Sequence, residues 1–141
     1  KKGRLIFSLR NRLFDLVTLN NYTKKFLDEI YEVKYLNKEW KKKYENLTKN
    51  FSNRKKYRFK NIDEEGVYSH IPHNPITIKE EMAKLGLKVE GIYFYHFHAL
   101  PPLFENFDEL FYRKISWKIE NPNDWRGHFL ASAFIVDCKK I

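Results

Sequence analysis

The sequence predicts an α/β domain on a three-stranded mixed sheet. Its first and second strands run parallel, the last lies antiparallel between them, and a helical insertion follows the first. Three observations carry that reading. Runs rich in apolar and β-forming residues occur near the start, past the middle and at the close of the chain. A helix bounded by proline and glycine leads into the second run, and a strand, crossover helix and strand imply parallel neighbours. The last run is apolar on both faces, as a central strand is.

Arg4 to Leu9 reads as the first strand, apolar on both faces as in a sheet covered on both sides. Arg10-Asn11-Arg12 ends it. Asn20 or Asn21 is placed to cap a helix from about Tyr22 to Val33, with Tyr22, Phe26, Ile30 and Val33 on one stripe. A second helix, from about Asn37 to Asn50, carries Trp40, Tyr44, Leu47 and Phe51 at helical spacing, its lysines mostly off that stripe. Ser52 to Ile71 is polar, basic and carries no periodic signal.

Thr77-Ile78-Lys79-Glu80 fits a capping box, and Pro75 and Gly86 delimit the helix it would start. Leu87 to Leu100 reads as the second strand, with Val89, Gly91, Tyr93, Tyr95 and Phe97 on one face and Glu90, Ile92, Phe94, His96 and His98 on the other. Pro101-Pro102 stops it. Leu103 to Arg126 reads as an amphipathic connection without a convincing long helix, and Phe129 to Cys138 as the last strand. Between the chain start and that strand the division is a helical insertion over residues 11–76, then helix, strand, connection and strand over 77–141.

At 141 residues with 43% hydrophobic content the chain has the material for one core. No window approaches the roughly 18 consecutive apolar residues of a membrane span. The single cysteine, Cys138, excludes an internal disulfide and a cysteine-based zinc cluster, and a reducing, cytoplasmic setting is expected. The net charge of +9 is concentrated between Lys38 and Lys60, where ten basic residues stand against two acidic ones. The chain opens Lys1-Lys2-Gly3-Arg4 and runs straight into an apolar strand, which suggests a piece of a longer protein.

The order of elements, with KKGRLIFSLRNRLF at one end, HNPITIKEEMAKLGLKVEGIYFYHFHALPP in the middle and DWRGHFLASAFIVDCKK at the close, resembles the C-terminal half of a class I S-adenosylmethionine-dependent methyltransferase. The resemblance implies a partial Rossmann-like fold. Residues 1–141 would form the acceptor-binding half of an enzyme acting on a small molecule, and the insertion a lid over the acceptor. It also implies S-adenosylmethionine as cofactor of the parent protein. In that family a glycine-rich turn and an acidic strand end hold the cofactor, because glycine lets the backbone approach the ligand closely. Here Gly3, Gly66, Gly86, Gly91 and Gly127 stand far apart. Alone, the chain is expected neither to bind the cofactor nor to transfer a methyl group.

Ligands of open α/β sheets bind outside the carboxyl ends of the parallel strands. Arg10, Asn11 and Arg12 would stand at that end of the first strand, His96 and His98 at that end of the second. His70, His73 and Asn74 enter the crossover helix from the same rim. These eight are the candidate substrate-binding residues, with no catalytic residue assigned. The arginines suit a carboxylate or phosphate on the acceptor. At His73-Asn74 an imidazole suits taking a hydroxyl proton from the acceptor, and a plain turn before Pro75 is the slightly favoured reading. Four histidines near one rim make a metal site conceivable, but no adjacent carboxylate would fix the imidazoles, so none is assigned.

The alternative is a basic nucleic-acid-binding module without catalysis. Lysines and arginines interleaved with Tyr44, Phe51, Tyr57 and Phe59 suit phosphate neutralisation and base stacking. Helical spacing of Trp40, Tyr44, Leu47 and Phe51 fits a buried stripe better.

Overall fold

A computed structural model describes residues 3–52 and 71–141. One sheet holds β1 (Arg4–Arg10), β2 (Leu87–Phe97) and β3 (Ala131–Lys140) in the order β1-β3-β2. Both ladders are antiparallel, Phe7 opposite Val136 on one side and Ile92 opposite Val136 on the other. This corrects the sequence expectation. The sheet is three-stranded and all-antiparallel, with helices around it, and the partly parallel, Rossmann-like sheet does not form. The reason lies in β3, whose apolar residues draw it to the middle, as the sequence suggested. From there it separates β1 from β2, leaving no parallel pair to form a ladder.

Along β3, Phe134, Val136 and Cys138 alternate and are fully buried. They form the core with Phe94 and Phe97 of β2, Ala131, and Ile78 and Met82 of α3 (Ile78–Lys84). On the opposite face Asp137 is buried against Arg4, whose Nε stands 2.7 Å from Oδ1. β1 is not covered on both faces as expected, since Leu5 and Ile6 are exposed at this edge.

Two irregularities break the expected alternation of β2. A bulge between Val89 and Gly91 adds Glu90 to one strand, so the inward face changes parity there. Further along, His96 takes a left-handed backbone with φ +58°, so Phe94 and Phe97, three apart, both reach the core.

The helices also depart from expectation in places. Asn20 caps α1 (Asn21–Ile30) as foreseen, its side chain accepting from the Tyr22 amide at 2.8 Å. Ile30 is exposed, because the helix ends there and a 3₁₀ turn, Val33–Tyr35, brings Val33 back inside. In α2 (Lys38–Ser52) the stripe is not buried, as Trp40 and Leu47 are 58% and 82% exposed; Thr48 is the buried contact instead. At α3 the capping box does not form. The Thr77 hydroxyl donates to Glu81 at 2.9 Å, and the Asn74 side chain accepts from the Ile76 amide in an Asx turn. The connection before β3 holds an unforeseen helix, α4 (Glu109–Ile119), capped by Asp108 on the Phe111 amide at 2.9 Å. A single helical turn, α5 (Gly127–Leu130), then leads into β3. Among the described residues no helix is long and apolar enough to cross a membrane.

Candidate functional site

Three segments meet where β1 ends. Asn11 forms an isolated parallel bridge with His73: the Arg12 amide donates to the His73 carbonyl and the His73 amide to the Arg10 carbonyl, both at 2.8 Å. On the other side the Asn11 amide donates to the Ser132 carbonyl at 2.9 Å. Ser132 in turn joins β2, its hydroxyl 2.7 Å from Nδ1 of His96. These contacts bring Arg10–Arg12, His73, Ser132 and His96 together where β1 and β2, each antiparallel to β3, run out.

Each candidate can now be placed. Asn11 is fully buried, and its polar atoms are spent inside the protein. Nδ2 reaches the carbonyls of His128 and Ala131 at 2.8 Å and of Gly127 at 3.2 Å, while Oδ1 accepts from the Leu13 amide at 3.0 Å. It clamps α5 to the 3₁₀ turn Arg12–Val17 rather than facing a ligand.

Arg10 and Arg12 are engaged as well. Arg12 pairs with Asp15 at 3.0 Å and with Glu29, and lies over the Phe26 ring; Arg10 lies over Tyr22, 4.0 Å from Asp15. Asp15 is buried, and burial raises its carboxyl pKa against the pull of the two arginines. Two guanidiniums thus serve one buried carboxylate. The Asn74 side chain closes its turn, and His73 approaches Glu81 at 3.4 Å. His70 lies outside the described residues. Among the described residues no group of three or more His, Cys, Asp or Glu is placed to hold a metal ion.

His96 and His98 come together differently from a regular strand pair. Their ring centroids stand 4.8 Å apart, edge to face. His96 is exposed, in its strained left-handed backbone, with its amide on Glu120 at 3.2 Å. The ring of His98 packs on Phe14 at 4.7 Å, and its backbone amide donates to Leu130 at 2.8 Å. Its Nδ1 lies 2.6 Å from the Tyr112 hydroxyl, which itself stands 3.0 Å from the Leu100 carbonyl. A phenol has one proton to give. That one proton serves either the Leu100 carbonyl or Nδ1, so the sense of the 2.6 Å bond follows the imidazole tautomer.

Nε2 of His98 is buried and has no hydrogen-bond partner among the described residues. Burial first, and the nearby His96 second, push the imidazole pKa down to about 4, so the ring is neutral at physiological pH. Beside it opens a cavity of about 340 Å³ whose walls include Leu16, Val17, Leu100, Pro101 and Leu130.

No family model, curated protein or solved structure matches this chain. The site itself must carry the reading. It is a small, open, mostly apolar cavity with a neutral imidazole in its wall, a shape that suits a small apolar molecule. Sequence reasoning found His98 but missed Tyr112, Leu16 and Val17. Asp108 ahead of Leu110, Phe111 and Ile115 was a cap-and-stripe signal that would have revealed α4 and with it Tyr112.

Proposed function

We propose that this chain binds the methyl acceptor, a small molecule, of an S-adenosylmethionine-dependent methyltransferase. The single observation behind the proposal is the apolar cavity that His98 lines, beside the rim where Arg10–Arg12, His73 and His96 meet. The resemblance of the three sequence stretches supplies the reaction class.

The residues present do not fit the cofactor. Among the described residues no glycine-rich turn meets a helix start; Gly86 closes α3, Gly91 lies under Tyr93 and Gly127 under Phe94. The chain is therefore assigned the acceptor alone, with the methyl donor held by residues outside it. In this role the His98 ring forms part of the wall against which the acceptor is held. A ring with a pKa near 4 is a poor store for a proton, so positioning carries more of the effect than base catalysis.

The test is transfer of tritium from methyl-labelled S-adenosylmethionine to a panel of small molecules by the protein that carries both this chain and the residues holding the donor. The expected result is label in a small acceptor, with kcat/KM reduced about 10- to 100-fold by His98→Ala. A native protein that shows no saturable binding of S-adenosylmethionine would overturn the proposal.

One observation favours the nucleic-acid reading. On α2 Trp40 is exposed beside Lys43, whose Nζ is 4.6 Å from its ring, with Lys41 and Lys42 also exposed. In that case affinity for an arbitrary single strand would fall linearly in log–log fashion with salt.

A further inference from the structure

We infer that the outer face of α4 is the surface through which two copies of this chain associate, the two helices antiparallel across a two-fold axis. Tyr112, which meets His98, and Ser116 are buried on the inner side of the helix. Leu110, Phe111, Lys114, Trp117 and Lys118 recur at steps of three and four on the opposite side, and all are exposed. Phe107, just ahead of the Asp108 cap, extends the row and packs on Phe104 with 5.8 Å between ring centroids. Phe107, Leu110, Phe111 and Trp117 are 84%, 82%, 56% and 72% exposed.

Size and charge together select a second copy as the occupant. At about 150–250 Å² for an aromatic side chain, these four residues leave on the order of 500 Å² of apolar surface open on each copy. A stripe of that size is unusual on a monomer, and doubled it reaches the roughly 1,000 Å² at which specific interfaces begin. The charges beside it differ in sign between its ends. Glu105, Asp108 and Glu109 stand at the start, where Arg113 reaches Glu109 at 2.7 Å and Glu105 at 3.6 Å. Lys114 and Lys118 stand towards the other end, and Glu120 beyond them is held on the His96 amide at 3.2 Å. Such a stripe is complementary to itself. An antiparallel pair sets Leu110 against Trp117 of the second copy and Glu109 against its Lys118, with the axis between Arg113 and Lys114. Each helix start then lies beside the other's end, which also suits the two dipoles. Lys114 meets an Arg113 whose charge Glu105 and Glu109 already balance. A bilayer of anionic lipid would attract the lysine end and repel the carboxylate end, so it fits this stripe less well.

The experiment is sedimentation of the full protein over about a hundredfold range of concentration, starting from about 1 μM. The mass is expected to rise to that of two copies. Trp117→Ser, at an exposed position, should weaken association about tenfold or more. Glu109→Lys and Lys118→Glu should each weaken it about threefold to tenfold, and the two together should restore it, because the exchange rebuilds the pair between copies. A monomer at every concentration, a dimer that Trp117→Ser leaves intact, or single reversals that do nothing or that the double exchange does not rescue would each overturn the inference. A monomer that sediments with vesicles of mixed phosphatidylcholine and phosphatidylserine, and loses them on Trp117→Ser, would overturn it too and make the stripe a lipid-facing surface.

Discussion

Nδ1 of His98 stands 2.6 Å from the hydroxyl of Tyr112, which lies 3.0 Å from the Leu100 carbonyl. The contact joins the end of β2 to α4 and ties the imidazole tautomer to the place of the phenol proton. Tyr112→Phe should therefore do two things. It removes the phenol's hydrogen bonding at a buried site, lowering stability by about 1–2 kcal/mol. It also releases the tautomer from the phenol, which changes the two nitrogen shifts of the imidazole. Wild-type nitrogen shifts in the variant would show that the phenol does not set the tautomer.

A pH dependence follows from the same residue. In the unfolded chain His98 titrates at its ordinary value near 6.5; in the folded protein burial and His96 hold it down to about 4, with Glu105 opposing weakly. Between those values the unfolded state binds the extra proton, so this group's contribution is complete above pH 6.5 and is lost as pH falls towards 4. The full swing is about 3 kcal/mol. Urea unfolding of the wild type and of His98→Phe across pH 4–7 isolates it. The wild type should lose stability relative to the variant on acidification, and parallel curves would refute the assignment.

Asn11 carries a structural load that the sequence presented as a ligand contact. Asn11→Ala strands the Leu13 amide and takes the Nδ2 donor from the His128 and Ala131 carbonyls, while the Gly127 carbonyl keeps the Ala131 amide. A loss of about 3 kcal/mol is expected, since more than one buried polar group loses its partner. Asn11→Asp should fare worse, because it turns a charged oxygen towards three carbonyls. Thermal melting of the pair checks the order.

How far the sequence was legible depends on whether a signal was local. The Asn20 cap, the apolar β3 and the place of β3 between the other strands all follow from residue type and periodicity. The Glu90 bulge and the left-handed His96 do not, because each is fixed by pairing with β3 rather than by neighbours in sequence. The two arginines illustrate the same limit. Adjacent guanidiniums look like an anion site until Asp15, buried between them by the 3₁₀ turn, takes up their charge. The parallel sheet failed on a similar point: strand order could be inferred, but the pairing partners of each strand follow from that order, and here every pair is antiparallel.

The glycines supply a graded test of the packing behind the site. A Cβ on Gly127 would fall 2.4 Å from Cγ and 2.5 Å from Cβ of Phe94, and those atoms cannot swing away without moving β2. Phe94 is buried between His128 and Phe134, at 4.5 and 6.2 Å between ring centroids. Gly127→Ala should cost about 2–3 kcal/mol through that displacement. Because α5 also carries the carbonyls that Asn11 holds, it should disturb the His98 cavity wall at Leu130. At Gly86 the space is open but φ is +72°, so alanine there should cost about 1 kcal/mol from the backbone alone. Gly91→Ala meets only the outer end of the Tyr93 ring, which is half exposed and free to turn, so its effect should be smaller still. Chemical denaturation of the three variants should rank them 127, 86, 91 from most to least damaging. A Gly127→Ala protein as stable as the wild type would mean that α5 and β2 have room to part.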